Sequence, residues 1–305
     1  MFASLLHRLS SFSLICALLF CTCCFQQAIA EQTTCFSKNA RIVSIGGALT
    51  EIVYALGAQD QLIARDSTSM YPQEALKLPV LGYMRALSPE GVLSLSPECI
   101  LLIEGSGPHS TVDILRKTSI PMVFVPEDFS RENVIEKIRF VGKALGREEQ
   151  AAVLIEKVNQ SFIDNDALLA KVTKPKSVLF VMSIQNGRVM ASGIGTAANG
   201  MIELAGGINA ISNFKGYKLL NNEALLNANP DVILLMDYRG NSEKMDQLLA
   251  VPAIKATAAA KNHAIKQVDI MYLLGFGPRT ADAAKDMIRM LYYTDETVNV
   301  EKDDR

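Results

Sequence analysis

The sequence predicts an α/β protein of two lobes, each built on a parallel sheet, with a ligand cleft between them and a long rigid α-helix joining them. Three observations carry that expectation. Short apolar runs alternate with segments of helical spacing in both halves of the chain. Between the halves, residues 130–171 hold no strand signal at all. The second half also repeats part of the first: with Leu87 aligned on Leu220, both read L-x-x-E-x-x-L-x-x-x-P-[ED]-x-I-L-L.

The first thirty residues stand apart. Arg8 opens a stretch that becomes apolar over residues 12–25 and ends in Ala28-Ile29-Ala30, the small-x-small form of a signal-peptidase site. The run falls short of the ~20 residues a membrane span needs. The expectation is export with cleavage after Ala30; the alternatives are an uncleaved anchor or a lipid on Cys21, Cys23 or Cys24. The chain carries 30 basic and 32 acidic residues, a net charge of −2, which gives no footprint for nucleic acid or an anionic membrane surface. Of six cysteines, Cys35 and Cys99 would remain after cleavage. Cys99 opens an apolar run and reads as a small core hydrophobe, although the compartment permits a disulfide.

Residues 31–129 form the first expected lobe. RIVSI ends at Gly46-Gly47; helical spacing follows over residues 50–56 and stops at Gly57. Strands are expected at 61–64, 99–103 and 121–125, with a helix over 109–117. The run CILLI is apolar throughout, as a strand buried on both faces should be. The connector is expected over residues 130–172, with Ser130 as a cap and Gly146 as a break. A helix of about 25 residues from Glu148 would be ~37 Å long, enough to run along both lobes. Residues 173–294 form the second lobe, with strands at 177–182, 232–236 and 263–268 and helices at 195–204, 242–249 and 280–293. A polar tail closes the chain over residues 295–305.

The repeat places Glu90 and Glu223 in the first turn of a short helix that leads through a proline into a buried strand. Two readings fit. Each carboxylate complements its helix dipole, or the two form a matched docking pair for a partner built from two equal subunits. The repeat is too long in period for a solenoid.

Tyr83 lies in the loop Gly82-Tyr83-Met84-Arg85, between Pro79 and the helix of Glu90. A free phenol ionises near pH ~10, but a hard ferric ion can make it tyrosinate, a recognised axial ligand of haem iron. A guanidinium two residues on would stabilise that anion. The other reading is that Tyr83 plugs a lobe interface. Tyr71, Tyr238-Arg239-Gly240 after a strand, Arg279 in the loop GFGPR, and the methionines Met70, Met84, Met190 and Met271 are further candidates for one cleft.

Several chemistries are absent from the sequence. His109 and His263 are isolated, so no zinc or manganese site can be built from several imidazoles. No G-x-S-x-G elbow or G-x-x-x-x-G-K-[ST] loop occurs. Ser67 and Ser69 near Asp66 lack a positioned base. Gly193-Ile194-Gly195 does not complete a dinucleotide-binding pattern. No enzymatic activity is expected.

The stretches RIVSIGGALTEIVYALGA, YPQEALKLPVLGYMRALSPEGVLSLSPE, LLNNEALLNANPDVILL and GFGPRTAD together resemble the periplasmic substrate-binding proteins of ABC importers with a rigid helical backbone, the class that carries iron complexes and vitamin B12. Within it the chain is most similar to the haem-binding proteins, on the GYMR segment above all. The resemblance implies two Rossmann-like lobes and haem b, as hemin, for cargo. It implies that Tyr83 is the axial ligand, that Arg85 stabilises it, and that Tyr71, Met84, Arg239 and Arg279 contact the haem. It implies that Glu90 and Glu223 dock onto a dimeric inner-membrane ABC permease with its ATPase subunits, and that the protein is a monomer in solution. A ferric siderophore or a corrinoid is the alternative cargo.

Overall fold

The computed structural model describes residues 39–237 and 242–293. The expected signal segment, Cys35, Tyr238, Arg239 and the polar tail lie outside them.

The first half is a four-stranded sheet in which every pairing is parallel. Its strands are β1 (Ile42–Ile45), β2 (Leu62–Arg65), β3 (Cys99–Ile103) and β4 (Met122–Val125), in the order β2-β1-β3-β4. Helix α1 (Gly47–Ala55) follows β1, α2 (Pro89–Leu93) carries Glu90, and α3 (His109–Arg116) precedes β4. Cys99 is fully buried in β3 and is disulfide-bonded. It is a core residue, as the sequence led one to expect, and a cross-link, which the sequence left open.

The connector is two helices. Ser130 caps α4 (Arg131–Leu145) by accepting the Asn133 N–H at 3.1 Å, and Gly146 ends it in the left-handed region at φ 60°. The chain turns and runs on as α5 (Glu148–Leu169), which packs on α4 and on the last helix. Its 22 residues span ~33 Å. The two helices approach so closely at Gly142 that a Cβ there would lie 2.5 Å from the Ala151 Cβ.

The second half holds a six-stranded sheet, five strands in the order β10-β9-β5-β6-β8 and the short β7 (Ile208–Asn209) pairing β5 off that path. Strands β5 (Ser177–Gln185), β9 (Val232–Asp237) and β10 (Ile265–Asp269) are parallel; β6 (Arg188–Ser192) and β8 (Tyr217–Leu219) are antiparallel additions the sequence reading missed. The hairpin signal was present: Asn186-Gly187, both at positive φ, joins β5 to β6. Helices α6 (Ala197–Leu204), α7 (Asn222–Ala228), α8 (Ser242–Leu249), α9 (Pro252–Lys255), α10 (Ala258–Lys261), α11 (Ile270–Leu273) and α12 (Thr280–Tyr292) complete the chain.

Strand alternation distributes the core. On β3, Cys99, Leu101 and Ile103 face one way; on β5, Val178 and Phe180; on β9, Val232, Leu234 and Met236. All join a single cluster with Ile138 and Val141 of α4 and Val158 and Phe162 of α5. The opposite faces feed smaller clusters, around Ile100 and Leu102 in one half and Leu179 and Ile233 in the other.

Gly142→Val should wedge the connector helices apart and cost about 1–3 kcal/mol. The check is urea unfolding, where the midpoint should fall while the slope stays unchanged.

Candidate functional site

A cavity of about 510 Å³ opens between the two sheets, lined by residues from both halves, within the ~300–1,000 Å³ usual for small-molecule sites. Gly46, Gly47 and Ala48 at the start of α1 line one side; Gly195, Thr196 and Ala197 at the start of α6 line the other.

The first wall is built on a buried carboxylate. Asp66 is fully buried and accepts from the Gly46 N–H (3.0 Å), the Thr68 N–H (2.9 Å), the Thr68 hydroxyl (2.6 Å) and the Ser69 hydroxyl (2.7 Å). Four donors satisfy the buried anion. Arg65, also buried, donates to the Asp66 and Ser69 carbonyls. The network that resembled a hydrolytic cluster in the sequence is a scaffold: it fixes the loop that presents Thr68, Met70 and Tyr71 to the cavity.

Tyr83, Met84 and Arg85 line the same wall. Their loop is pinned on both edges. The Ser67 N–H donates to the Gly82 carbonyl at 2.8 Å and the Gly107 N–H to the Met84 carbonyl at 2.9 Å. Gly82 takes φ 91°, a conformation open to glycine. Tyr83 is 46 % exposed, so its ring is not packed away inside either half.

Arg279 closes one end. Its backbone N–H donates to Glu51 Oε1 at 2.9 Å and its Nε to Oε2 at 3.0 Å. The guanidinium lies 3.6 Å from the centroid of the Tyr71 ring and 5.2 Å from that of Tyr272. Burial pushes the Glu51 carboxyl above its usual range, against the pull of Arg279. Burial and the acceptor Asp286, 2.9 Å from its hydroxyl, push the Tyr272 phenol up as well. Deeper, the fully buried amine of Lys137 donates to Glu127 Oε1 at 2.6 Å, beside Phe276. Desolvation holds Lys137 below its ordinary value and Glu127 above its own, each opposed by the other.

The cavity thus brings together Tyr71, Tyr83, Met84, Arg85 and Arg279 from the sequence candidates, with Met70 and Met271. Met190 is not among the lining residues; Met182, three residues before the hairpin turn, is. Arg239 lies outside the described residues. Glu90 and Glu223 sit in the first turns of α2 and α7, exposed. The Glu90 carboxylate accepts from the Ser88 hydroxyl at 2.7 Å, which holds its pKa below the usual range. Phe129, Glu127, Thr196 and Tyr217 were missed as lining residues. Tyr217 had a signal: it follows a glycine in the repeated segment, as Tyr83 does. Among the described residues no helix is long and apolar enough to cross a membrane.

A sequence profile for the family described as "Periplasmic binding protein" matches residues 42–270. An ABC transporter substrate-binding lipoprotein, YvrC, of Bacillus subtilis (strain 168) is 27% identical over 86% of this chain and 83% of its own. A vitamin B12-binding protein of Photorhabdus laumondii subsp. laumondii is 24% identical over 66% and 72%. Among solved structures, the periplasmic heme-binding protein RhuT from Roseiflexus sp. RS-1 is 35% identical with a TM-score of 0.78, over 83% of this chain and 98% of that one. The periplasmic heme-binding protein BhuT in complex with two hemes is 34% identical with a TM-score of 0.77, over 83% and 97%.

Replacing Arg279 by glutamine would leave Glu51 buried without its cation. The wild-type carboxyl already titrates above its unfolded value, and losing Arg279 raises that pKa further. The stability lost by Arg279→Gln should therefore be small near pH 5 and grow as pH rises past the wild-type Glu51 pKa. Urea unfolding of both proteins at pH 5 and pH 7.5 measures it.

Proposed function

The chain belongs to the periplasmic binding protein family, and from that premise we propose that it captures hemin through Tyr83 and delivers it to a dimeric inner-membrane permease. Proteins of this family bind a substrate and hand it to an ABC transporter; this one is a carrier and not an enzyme.

One observation carries the choice of cargo. Tyr83 stands 46 % exposed on the cavity wall, in a pinned loop that also presents Arg85 to the cavity. A phenol is a poor ligand while protonated, and ferric iron is hard enough to displace its proton. The guanidinium favours the resulting anion. The thioethers of Met70, Met84, Met182 and Met271 and the ring of Phe129 give the macrocycle a soft apolar surround. Arg279 keeps its terminal nitrogens for an acid group of the cargo, because Glu51 occupies the Nε. The relatives RhuT and BhuT, described as heme-binding, are consistent with this cargo. A corrinoid is the competing cargo, kept open by the vitamin B12-binding relative.

Purified protein titrated with hemin should give a Soret band with a high-spin ferric tyrosinate signature, and Tyr83→Phe should lose that signature. If Tyr83→Phe binds hemin with an unchanged spectrum, Tyr83 is not the ligand. Preference for cyanocobalamin over hemin in the wild-type protein would favour the corrinoid.

For delivery, Glu90 and Glu223 are the proposed docking pair, one acid from each half. Glu90→Ala and Glu223→Ala should slow hemin uptake by cells carrying the importer and leave hemin affinity within about twofold, since neither side chain lines the cavity. A drop in hemin affinity in either variant would contradict that role.

A further inference from the structure

The second tyrosine of the repeat has a place in the cleft and no role in the reading above. Gly82-Tyr83 and Gly216-Tyr217 both stand just ahead of the repeated segment, one residue out of register with it. Each tyrosine follows a glycine at positive φ, 91° and 78°. Each shortly precedes a helix capped by a polar side chain, Ser88 in one half and Asn221 in the other. Both tyrosines line the one cavity.

Their settings differ. Tyr83 is exposed and has Arg85 two residues on; Tyr217 is half-buried, packs against the main core and has Leu219 in that place. Tyr217 opens β8 and pairs with Ser192 of β6. Thr196 and Ala197, at the start of α6, line the cavity beside it. Tyr217 is thus anchored through its strand, with its side chain half-buried on the cleft wall. Tyr83 and Arg85 line the cavity from the first half of the chain and Tyr217 lines it from the second.

The backing is stiff. The Gly193 N–H donates to the Gly216 carbonyl at 2.8 Å and the Gly216 N–H to the Ile194 carbonyl at 3.1 Å. A Cβ on Gly193 would lie 2.2 Å from the Phe214 carbonyl oxygen. The segment that leads into Tyr217 is closely backed, and a ring held in advance costs little to order on binding.

We propose that Tyr217 is the stacking wall of the cleft, receiving the face of a flat conjugated macrocycle turned away from Tyr83 and selecting planar cargo over puckered or globular cargo. This rests on the hemin reading and adds a contact that does not need the iron. Ring stacking depends on the π-system, whereas Tyr83 depends on the metal.

The two tyrosines are therefore separable with hemin and with iron-free protoporphyrin IX, followed by Soret absorbance and porphyrin fluorescence. Tyr217→Ala should weaken both by a similar factor, about fivefold to tenfold, and keep the tyrosinate signature of whatever hemin binds. Tyr83→Phe should weaken hemin far more than protoporphyrin IX. Tyr217→Phe keeps the ring and should stay within about twofold of wild type for both. Tyr217→Leu keeps the bulk, should fold as wild type by circular dichroism, and should behave as Tyr217→Ala. Wild-type affinity for protoporphyrin IX in Tyr217→Ala and Tyr217→Leu overturns the stacking role alone and leaves the hemin reading standing. A loss in Tyr217→Phe as large as in Tyr217→Ala overturns it too, because the hydroxyl would then be the contact. A wild-type protein that binds neither porphyrin overturns the cargo and the stacking wall together.

Discussion

The cleft exists because one apolar core is shared by both halves and the helices between them. The inner faces of β3, β5 and β9 feed the same cluster as α4 and α5. The halves therefore cannot swing apart as independent bodies without exposing side chains such as Phe162, Phe180 and Met287, all within 3 % of full burial. At about 25 cal/mol per Å² of apolar surface, even a modest opening there is costly. A helical connector packed into the core on this scale leaves little travel for closure around cargo. The cavity has to be shaped before the ligand arrives, which is why so much of its wall is pinned by hydrogen bonds rather than left to loops.

Two buried ion pairs sit at the seams of that arrangement. Glu51 on α1 is held by Arg279, more than two hundred residues away in sequence at the head of α12. Glu127 after β4 is held by Lys137 on α4, beside Phe276 from the loop before α12. Burying such pairs costs desolvation that their attraction offsets only in part, and the pKa shifts of Glu51, Glu127 and Lys137 all carry that sign. Their value is geometric. Arg279 can satisfy both oxygens of Glu51 in one position only, and that position also stacks it on Tyr71. Gly277 lets the loop come this close: a Cβ there would lie 3.2 Å from Glu51 Oε1.

The parts of this architecture written in local pattern were legible in the sequence. CILLI became β3 without a change of boundary, and Ser130 and Gly146 cap and end α4 as read. The repeat correctly put Glu90 and Glu223 into first turns. What escaped depends on distant partners. Glu51 looked like an ordinary residue on a helix, because nothing near it in sequence announces Arg279. Ser67 and Ser69 near Asp66 were poor catalytic material in the sequence for want of a positioned base, and only the fold shows that the Asp66 carboxylate is spent on Gly46, Thr68 and Ser69. Strand β8 is three residues long and exists only because β6 offers it an edge. Met182 replaced Met190 in the cavity wall for a related reason: the hairpin lengthens β5 and fixes which residues of the two strands face the cleft.

The repeat also explains why its two tyrosines diverged. A cleft that receives one cargo between two copies of the same unit starts with two phenols facing each other. If both could ionise, two anions would share a space of about 510 Å³, and like charges in a partly dry cavity repel strongly. One copy places Arg85 where a phenolate needs it. The other has Leu219 two residues on and half-buries its ring, and that burial pushes the Tyr217 phenol up, further from ionising. One arginine therefore suffices, and a second would stabilise the wrong anion. On the proposed reading, the asymmetry in the sequence gives the two tyrosines different work: one offers its oxygen to the cargo, and its sister offers its ring.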